Sequence, residues 1–194
     1  AWAAHRAMDY AHTLDILDID RSVVCGHSRL GKTALLAGAS FERFSCAFSN
    51  NSGCSGAAIT RGKQGEQVSD ICTIRPYWFC KNYGRYIGNV EGMPFDQHFL
   101  LASIAPRKVY VSSSEQDTWA DPISEFLCCA AASKAYERLG LQSFCVDKLP
   151  KPGDRFHSKN IGYHLRKGSH YFSREDWIIF IDYFKKQSKY ITGN

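Results

Sequence analysis

The chain has 194 residues and is 44% hydrophobic, 13% aromatic and 22% charged, which suits one globular domain with a buried core and excludes a disordered or fibrous chain. No apolar run approaches the ~18 residues of a membrane-spanning helix, and no basic-then-apolar leader pattern opens these residues. The net charge of +5 is scattered rather than blocked, which argues against nucleic-acid binding and reads as a solvated basic face able to meet an acidic polysaccharide.

In chain order, residues 1–14 read as a helix whose apolar surface is Trp2, Ala3, Met8 and Tyr10. Residues 21–25 are short, β-branched and apolar, as an interior parallel strand should be, and Ala-rich residues 32–39 read as a helix able to pack close to a sheet. A second strand is predicted over 44–49, followed by a Gly/Ser/Asn loop over 50–56. A helix is predicted over 66–80, started, kinked or interrupted by Pro76. A third strand is expected over 108–112, then a helix from Asp121-Pro122 to about Leu139, with proline in its favoured first turn. A fourth strand follows over 142–147, and a last helix over 173–189 opens on a near-capping box of Ser173 and Asp176 with Trp177, Ile178, Ile181 and Phe184 as its inner stripe.

Alternating strands and helices imply right-handed crossovers and a parallel sheet. The order matches the later half of an α/β-hydrolase fold, a three-layer α/β sandwich, running from a nucleophile strand to a histidine loop. Residues 1–194 therefore read as one partial catalytic domain, one piece of a longer enzyme. The earlier half, with the loop that gives a second oxyanion-hole amide, is expected outside these residues, leaving the first strand poorly buried.

The densest chemical signal is Gly26-His27-Ser28-Arg29-Leu30-Gly31-Lys32-Thr33, a serine between strand and helix. Such a turn lifts the hydroxyl above the sheet and aims a helix N-terminus at it. The usual elbow is G-x-S-x-G, whereas here Leu30 stands two after Ser28 and Gly31 one later, so an ordinary helix N-cap serine is the alternative. A serine hydroxyl needs a base. Of seven histidines, His170 in Lys167-Gly168-Ser169-His170, directly before the last helix, is the best placed; His164 is the structural alternate, and His27 packs or hydrogen-bonds under the elbow. After the third strand, Glu115 and Asp117 stand at the usual acid position, with Asp117 preferred and Asp121 read as a helix cap.

The elbow with Arg29 and Lys32 resembles the motif of the glucuronoyl esterases, carbohydrate esterase family 15. The resemblance continues in the segments 49–58, 61–66, 77–79, 94–98, 104–107, 119–122 and 164–170, and is most like the bacterial branch. It implies a serine carboxylic ester hydrolase resembling 4-O-methyl-glucuronoyl methylesterase, acting on glucuronic acid esters of xylan side chains in lignocellulose. It implies a polysaccharide substrate, no cofactor or metal, and secretion or a periplasmic location. It also implies that Arg29 supports the oxyanion, that Lys32 and Glu66 bind sugar hydroxyls with Gln67 beside them, and that Trp119 contacts the sugar, while Trp78 packs and Asp96 braces the sheet. One departure stands out. Most of the family carry a glutamate where this chain has Asn51, which moves the expected acid to Asp117 or Glu115. An acetyl-xylan or broad carbohydrate esterase, or a non-catalytic carbohydrate-binding remnant, are the alternative readings.

Eight cysteines are many for a cytosolic enzyme. Cys25, Cys46 and Cys145 read as buried thiols, Cys128 and Cys129 as helix neighbours unable to bridge each other, and Cys54 with Cys80 as a pair able to form a disulfide on export. No Cys-x-x-Cys or His–Cys spacing points to zinc.

Overall fold

A computed structural model describes residues 1–142, 144, 147–157 and 160–188. Five strands form one sheet in the order β1-β2-β3-β5-β4. They are β1 (Val23–His27), β2 (Cys46–Asn50), β3 (Lys108–Ser114), β4 (Arg155–Phe156) and β5 (Ile161–Arg166). β1, β2, β3 and β5 are parallel, and β4 returns antiparallel to β5. The helices are α1 (Trp2–Ala11), α2 (Arg29–Ser40), α3 (Val68–Ile74), α4 (Gln97–Ala102), α5 (Pro122–Arg138) and α6 (Arg174–Ser188). None of the described helices is long and apolar enough to cross a membrane.

Period-two alternation sends the strand side chains to two different cores. Ala47, Val109, Val111, Ile161, Tyr163 and Leu165 face α2, α4 and α5, meeting Leu35, Leu101, Phe126 and Tyr136. Cys46, Phe48 and Tyr110 face the other way, onto Ile179, Phe180 and Tyr183 of α6. Phe48 stacks on Phe180 at 4.3 Å between ring centroids. A smaller cluster around Val68, Ile71, Tyr83 and Met93 seals the long connection between β2 and α4.

Several expectations are corrected. α1 buries only Met8, while Trp2 and Tyr10 are exposed. α3 ends at Ile74, short of the expected residue 80, whereas Pro76 interrupts the helix as one of the expected outcomes and begins a separate 3₁₀ turn, since proline cannot donate within a continuing helix. On α6 the inner residues are Asp176, Ile179, Phe180 and Tyr183, whereas Trp177, Ile178 and Ile181 are substantially exposed. Residues 161–166, to which the sequence reading assigned no strand, form an interior strand. The strand expected over 142–147 falls largely on residues 143, 145 and 146, and the Cys145 thiol with it; these lie outside the described residues. Cys25 lies exposed on β1, the edge strand, and Cys54 and Cys80 are both free thiols rather than a bridge.

The turn from β1 into α2 depends on contact between backbones. A Cβ on Gly26 would overlap the carbonyl of Leu30, and one on Gly31 would lie 2.9 Å from both Ser49 Oγ and Ser52 Cβ. The second glycine therefore stands one place later than in the usual motif because residue 31 faces β2, while Leu30 points to solvent. Gly26→Ala is expected to lose at least about 2 kcal/mol of folding free energy, as an overpacked site with backbone on both sides does. Urea unfolding of the two proteins measures it; a change below about 0.5 kcal/mol would contradict this account of the turn.

Candidate active site

Ser28 takes φ 56° and ψ −124°, a left-handed conformation unusual outside glycine. Its N–H donates to Asn50 O at 2.9 Å, continuing the β1–β2 ladder past His27. Its carbonyl receives the N–H groups of Gly31 and Lys32 at 2.9 and 3.3 Å, which starts α2. The hydroxyl makes no capping bond to the helix, so the N-cap alternative does not describe its side chain. A strained serine at the carboxyl end of a parallel strand, ahead of a helix N-terminus, is the geometry in which anionic charge at the hydroxyl is stabilised.

Two strand positions away, β3 ends at Ser114 and the chain turns so that Asp117 comes to rest buried, 6% exposed. His170 follows β5 on an exposed loop. Its Nδ1 lies 2.6 Å from Asp117 Oδ2. A carboxylate only accepts, so Nδ1 carries the proton and Nε2 of the neutral ring is left as the basic nitrogen. The hydrogen bond to Asp117 raises the His170 pKa above its ordinary 6.5, against the opposing effect of partial burial. The His170 ring sits 4.5 Å from the ring of His27, the residue preceding Ser28. His27 is itself fixed: Asn50 Nδ2 donates to Ser112 Oγ, so Asn50 Oδ1 accepts the His27 Nδ1–H at 2.6 Å.

The other acid candidates are elsewhere. Glu115 is exposed, and its N–H donates to Arg166 O. Asp121 caps α5, accepting from Ser124 N at 3.0 Å, Ser124 Oγ at 2.7 Å and Gln64 N at 2.6 Å. Asn51 donates to Ser114 Oγ at 2.7 Å, and its buried Oδ1 has no partner among the described residues. His164, the structural alternate, is buried inside β5.

The basic residues and the sugar-binding candidates divide. Lys32 turns inward, donating to Ser52 O and to Cys54 O, the latter at 2.7 Å, and burial pushes its pKa down. Arg29 is exposed, with its guanidinium carbon 5.7 Å from the Trp78 ring. Arg29 and Lys32 line a cavity of about 590 Å³ together with Tyr77, Trp78, Phe79 and Phe95, so Trp78 lines open space as well as packing. Trp119 is 53% exposed on the loop after β3, and its carbonyl receives the Glu66 N–H at 2.9 Å, which sets these two candidates side by side. Gln67 is a correction: its amide nitrogen donates to Lys63 O and Gly65 O, so it ties its own loop. Asp96 accepts from the N–H groups of Thr60, Arg61 and Gln97 and braces the loop rather than the sheet.

Glu125, which the sequence reading passed over, is fully buried on α5 and accepts from the N–H groups of Ser52 and Gly53 at 2.8 and 2.9 Å and from Ser113 Oγ at 2.5 Å. Burial raises its pKa to about 7 despite those bonds. It fixes the loop whose carbonyls hold Lys32. A charged residue directly before the apolar run Phe126 to Ala132 was the available signal, because a glutamate buried with that run needs internal partners. Among the described residues no group of three or more His, Cys, Asp or Glu side chains is arranged to hold a metal ion.

Comparison with known proteins is consistent across sequence and structure. A family model described as glucuronyl esterase of fungi matches residues 1–140. A carbohydrate esterase from an unknown prokaryotic organism is 43% identical over 94% of this chain and 43% of its own length. The 4-O-methyl-glucuronoyl methylesterase of Podospora anserina is 34% identical over 72% of this chain and 31% of its own length. A solved structure described as a promiscuous CE15 esterase from a marine bacterial metagenome superimposes with a TM-score of 0.93 at 42% identity, covering 96% of this chain and 47% of that one. The chain thus spans less than half the length of each of these relatives.

The Asp117 bond favours imidazolium, so its contribution to stability is complete below the ordinary histidine pKa and fades as pH rises through the raised folded value. In an NMR titration His170 is expected to titrate above 6.5, and Asp117→Asn to move its midpoint downward. A midpoint unmoved by the substitution would contradict the pairing.

Proposed function

Because the chain belongs to the glucuronoyl esterase family, we propose that it carries the nucleophile, base and acid of a serine carboxylic ester hydrolase acting on esters of glucuronic or 4-O-methylglucuronic acid. The observation that carries this reading is the 2.6 Å bond from Asp117 to an imidazole packed against the residue preceding Ser28. Ser28 Oγ attacks the ester carbonyl while His170 Nε2 takes its proton, and Asp117 stabilises the imidazolium that forms. The oxyanion develops at the start of α2, where the Arg29 N–H and guanidinium are the donors. His170 then protonates the leaving alcohol, and water, deprotonated by the same nitrogen, releases the uronate from the acyl-enzyme. Glu66 and the one ammonium hydrogen of Lys32 that Ser52 O and Cys54 O leave over are assigned to the sugar hydroxyls, and Trp119 gives the ring an exposed aromatic surface. These steps need neither metal nor organic cofactor.

The natural substrate in this reading is a glucuronoxylan ester in lignocellulose, and the protein is one that meets it outside the cytoplasm. A second reading, a broad carbohydrate esterase that includes acetyl-xylan, draws support from the similar structure described as promiscuous.

Two measurements separate these readings. Ser28→Ala is expected to lower the esterase rate by about 10⁵-fold or more. An unchanged rate would overturn Ser28 as the nucleophile, and glycan binding with no turnover in the unaltered protein would leave a non-catalytic carbohydrate binder. Relative kcat/KM on an alkyl glucuronate and an aryl acetate is expected to favour the uronate by at least about tenfold; a preference for acetate by orders of magnitude would establish the broad esterase instead.

A further inference from the structure

The loop that presents His170 has little apolar anchorage: Lys167, Ser169, His170 and Tyr171 are all exposed. One buried side chain makes several bonds to it. Arg166, at the end of β5, is 1% exposed and points into the layer between sheet and α6. Its Nη1 donates to Lys167 O at 2.8 Å, and its Nη2 to Ser169 O at 3.2 Å and to Tyr171 O. The guanidinium also lies 4.1 Å from the centre of the Tyr171 ring. The carbonyls on both sides of His170 are therefore held by the same planar fork.

The fork is itself fixed from behind. Arg166 Nε donates to Asp176 Oδ2 at 2.8 Å, and the same oxygen accepts from Ser173 N and Ser173 Oγ at 2.8 and 2.7 Å. Asp176 Oδ1 accepts from His164 Nε2 at 2.9 Å. Since that nitrogen carries the proton, His164 Nδ1 accepts from Tyr110 OH at 2.8 Å, and Tyr110 in turn accepts from His157 Nε2 at 3.0 Å. A second observation points the same way: a Cβ on Gly168 would lie 3.1 Å from Arg166 Nη1 and from Tyr171 Oη, in a backbone at φ +100°. The loop also meets the acid loop directly, with Glu115 N donating to Arg166 O and Gln116 N to Gly168 O at 2.9 and 3.0 Å.

We infer that Arg166, held by Asp176, is a positioning residue for His170: it sets the loop so that the imidazole meets Asp117 and faces the elbow. The role needs an arginine, because a lysine keeps the charge for Asp176 but cannot reach three carbonyls from one plane. This inference rests on the esterase reading for its kinetic arm only.

The test uses the natural full chain. Arg166→Lys is expected to lower kcat about 10- to 100-fold, as a small misplacement of a catalytic group does, with KM within about twofold. In the free protein the far-downfield Nδ1–H proton resonance of His170 is expected to broaden or vanish. Tyr110→Phe, which cuts the Asp176 network on the side away from the loop, is expected to lower thermal stability while keeping kcat and that resonance. A folded Arg166→Lys with unchanged kcat and a sharp resonance would overturn the inference, as would a Tyr110→Phe that loses kcat equally. If Arg166→Lys does not fold, Gly168→Ala decides by the same two readouts. The resonance is read without substrate, so absence of esterase activity in the unaltered protein would sink the proposed function and leave the positioning test standing.

Discussion

A buried carboxylate and an exposed imidazole share one hydrogen bond in this protein, and its geometry constrains everything around it. Asp117 is 6% exposed, and a carboxylate so placed needs donors; His170 Nδ1 at 2.6 Å is the charge-assisted one. The parallel sheet makes the meeting possible. His27, Asn50, Ser112 and His164 stand level across β1, β2, β3 and β5, so the chain leaves each strand at the same edge. Strands lie about 4.8 Å apart, which puts Ser28 and Asp117 roughly two spacings from each other. An imidazole entering from β5 has nitrogens on opposite sides of its ring, so it can serve both.

The layer between sheet and α6 is polar where most such layers are apolar. Tyr110, His164, Arg166 and Asp176 replace hydrophobic contacts with a chain of directed hydrogen bonds, next to the Phe48–Phe180 stack. Burying a guanidinium and a carboxylate gains little net stability, because desolvation offsets their attraction. What the arrangement supplies is a defined position. The bonds on Asp176 fix the start of α6 and the end of β5 together, and the loop between those two points carries His170. On the opposite side of the site, Glu125 does the equivalent for the loop after β2, gripping Ser52 and Gly53.

Much of this was legible in the sequence. The β-branched run before Ser28 and the small residues after it announced a strand–turn–helix, and serine, acid and histidine follow in hydrolase order. Chain position pointed to Glu115 and Asp117 together, of which Asp117 is the one bonded to His170, and the Ser173–Asp176 box marked the start of α6. The parts missed share one physical cause. β5 carries Gly162, His164 and Arg166 on one face, so its pattern does not look hydrophobic, although each of those residues is interior. Arg166 and Glu125 look like surface residues until their partners are known, and those partners lie up to 73 positions away. The α6 stripe was misplaced in part: Ile178 and Ile181 are apolar but face outward and Trp177 is only partly covered, stacked on Phe172, while Phe184 packs on the core as expected and Asp176 faces in. Hydrophobic periodicity finds apolar cores; it has no means to register a buried ion pair.

The convergence of Ser28, His170 and Asp117 on one edge of the sheet is tested most directly by covalent labelling. The protein is treated with an alkyl fluorophosphonate, and the modified peptide is mapped by mass spectrometry. The expected result is a single adduct on Ser28, formed at a rate that falls at least about a hundredfold when His170 is replaced by alanine. An adduct on another residue, or labelling of Ser28 at an unchanged rate without His170, would contradict the account.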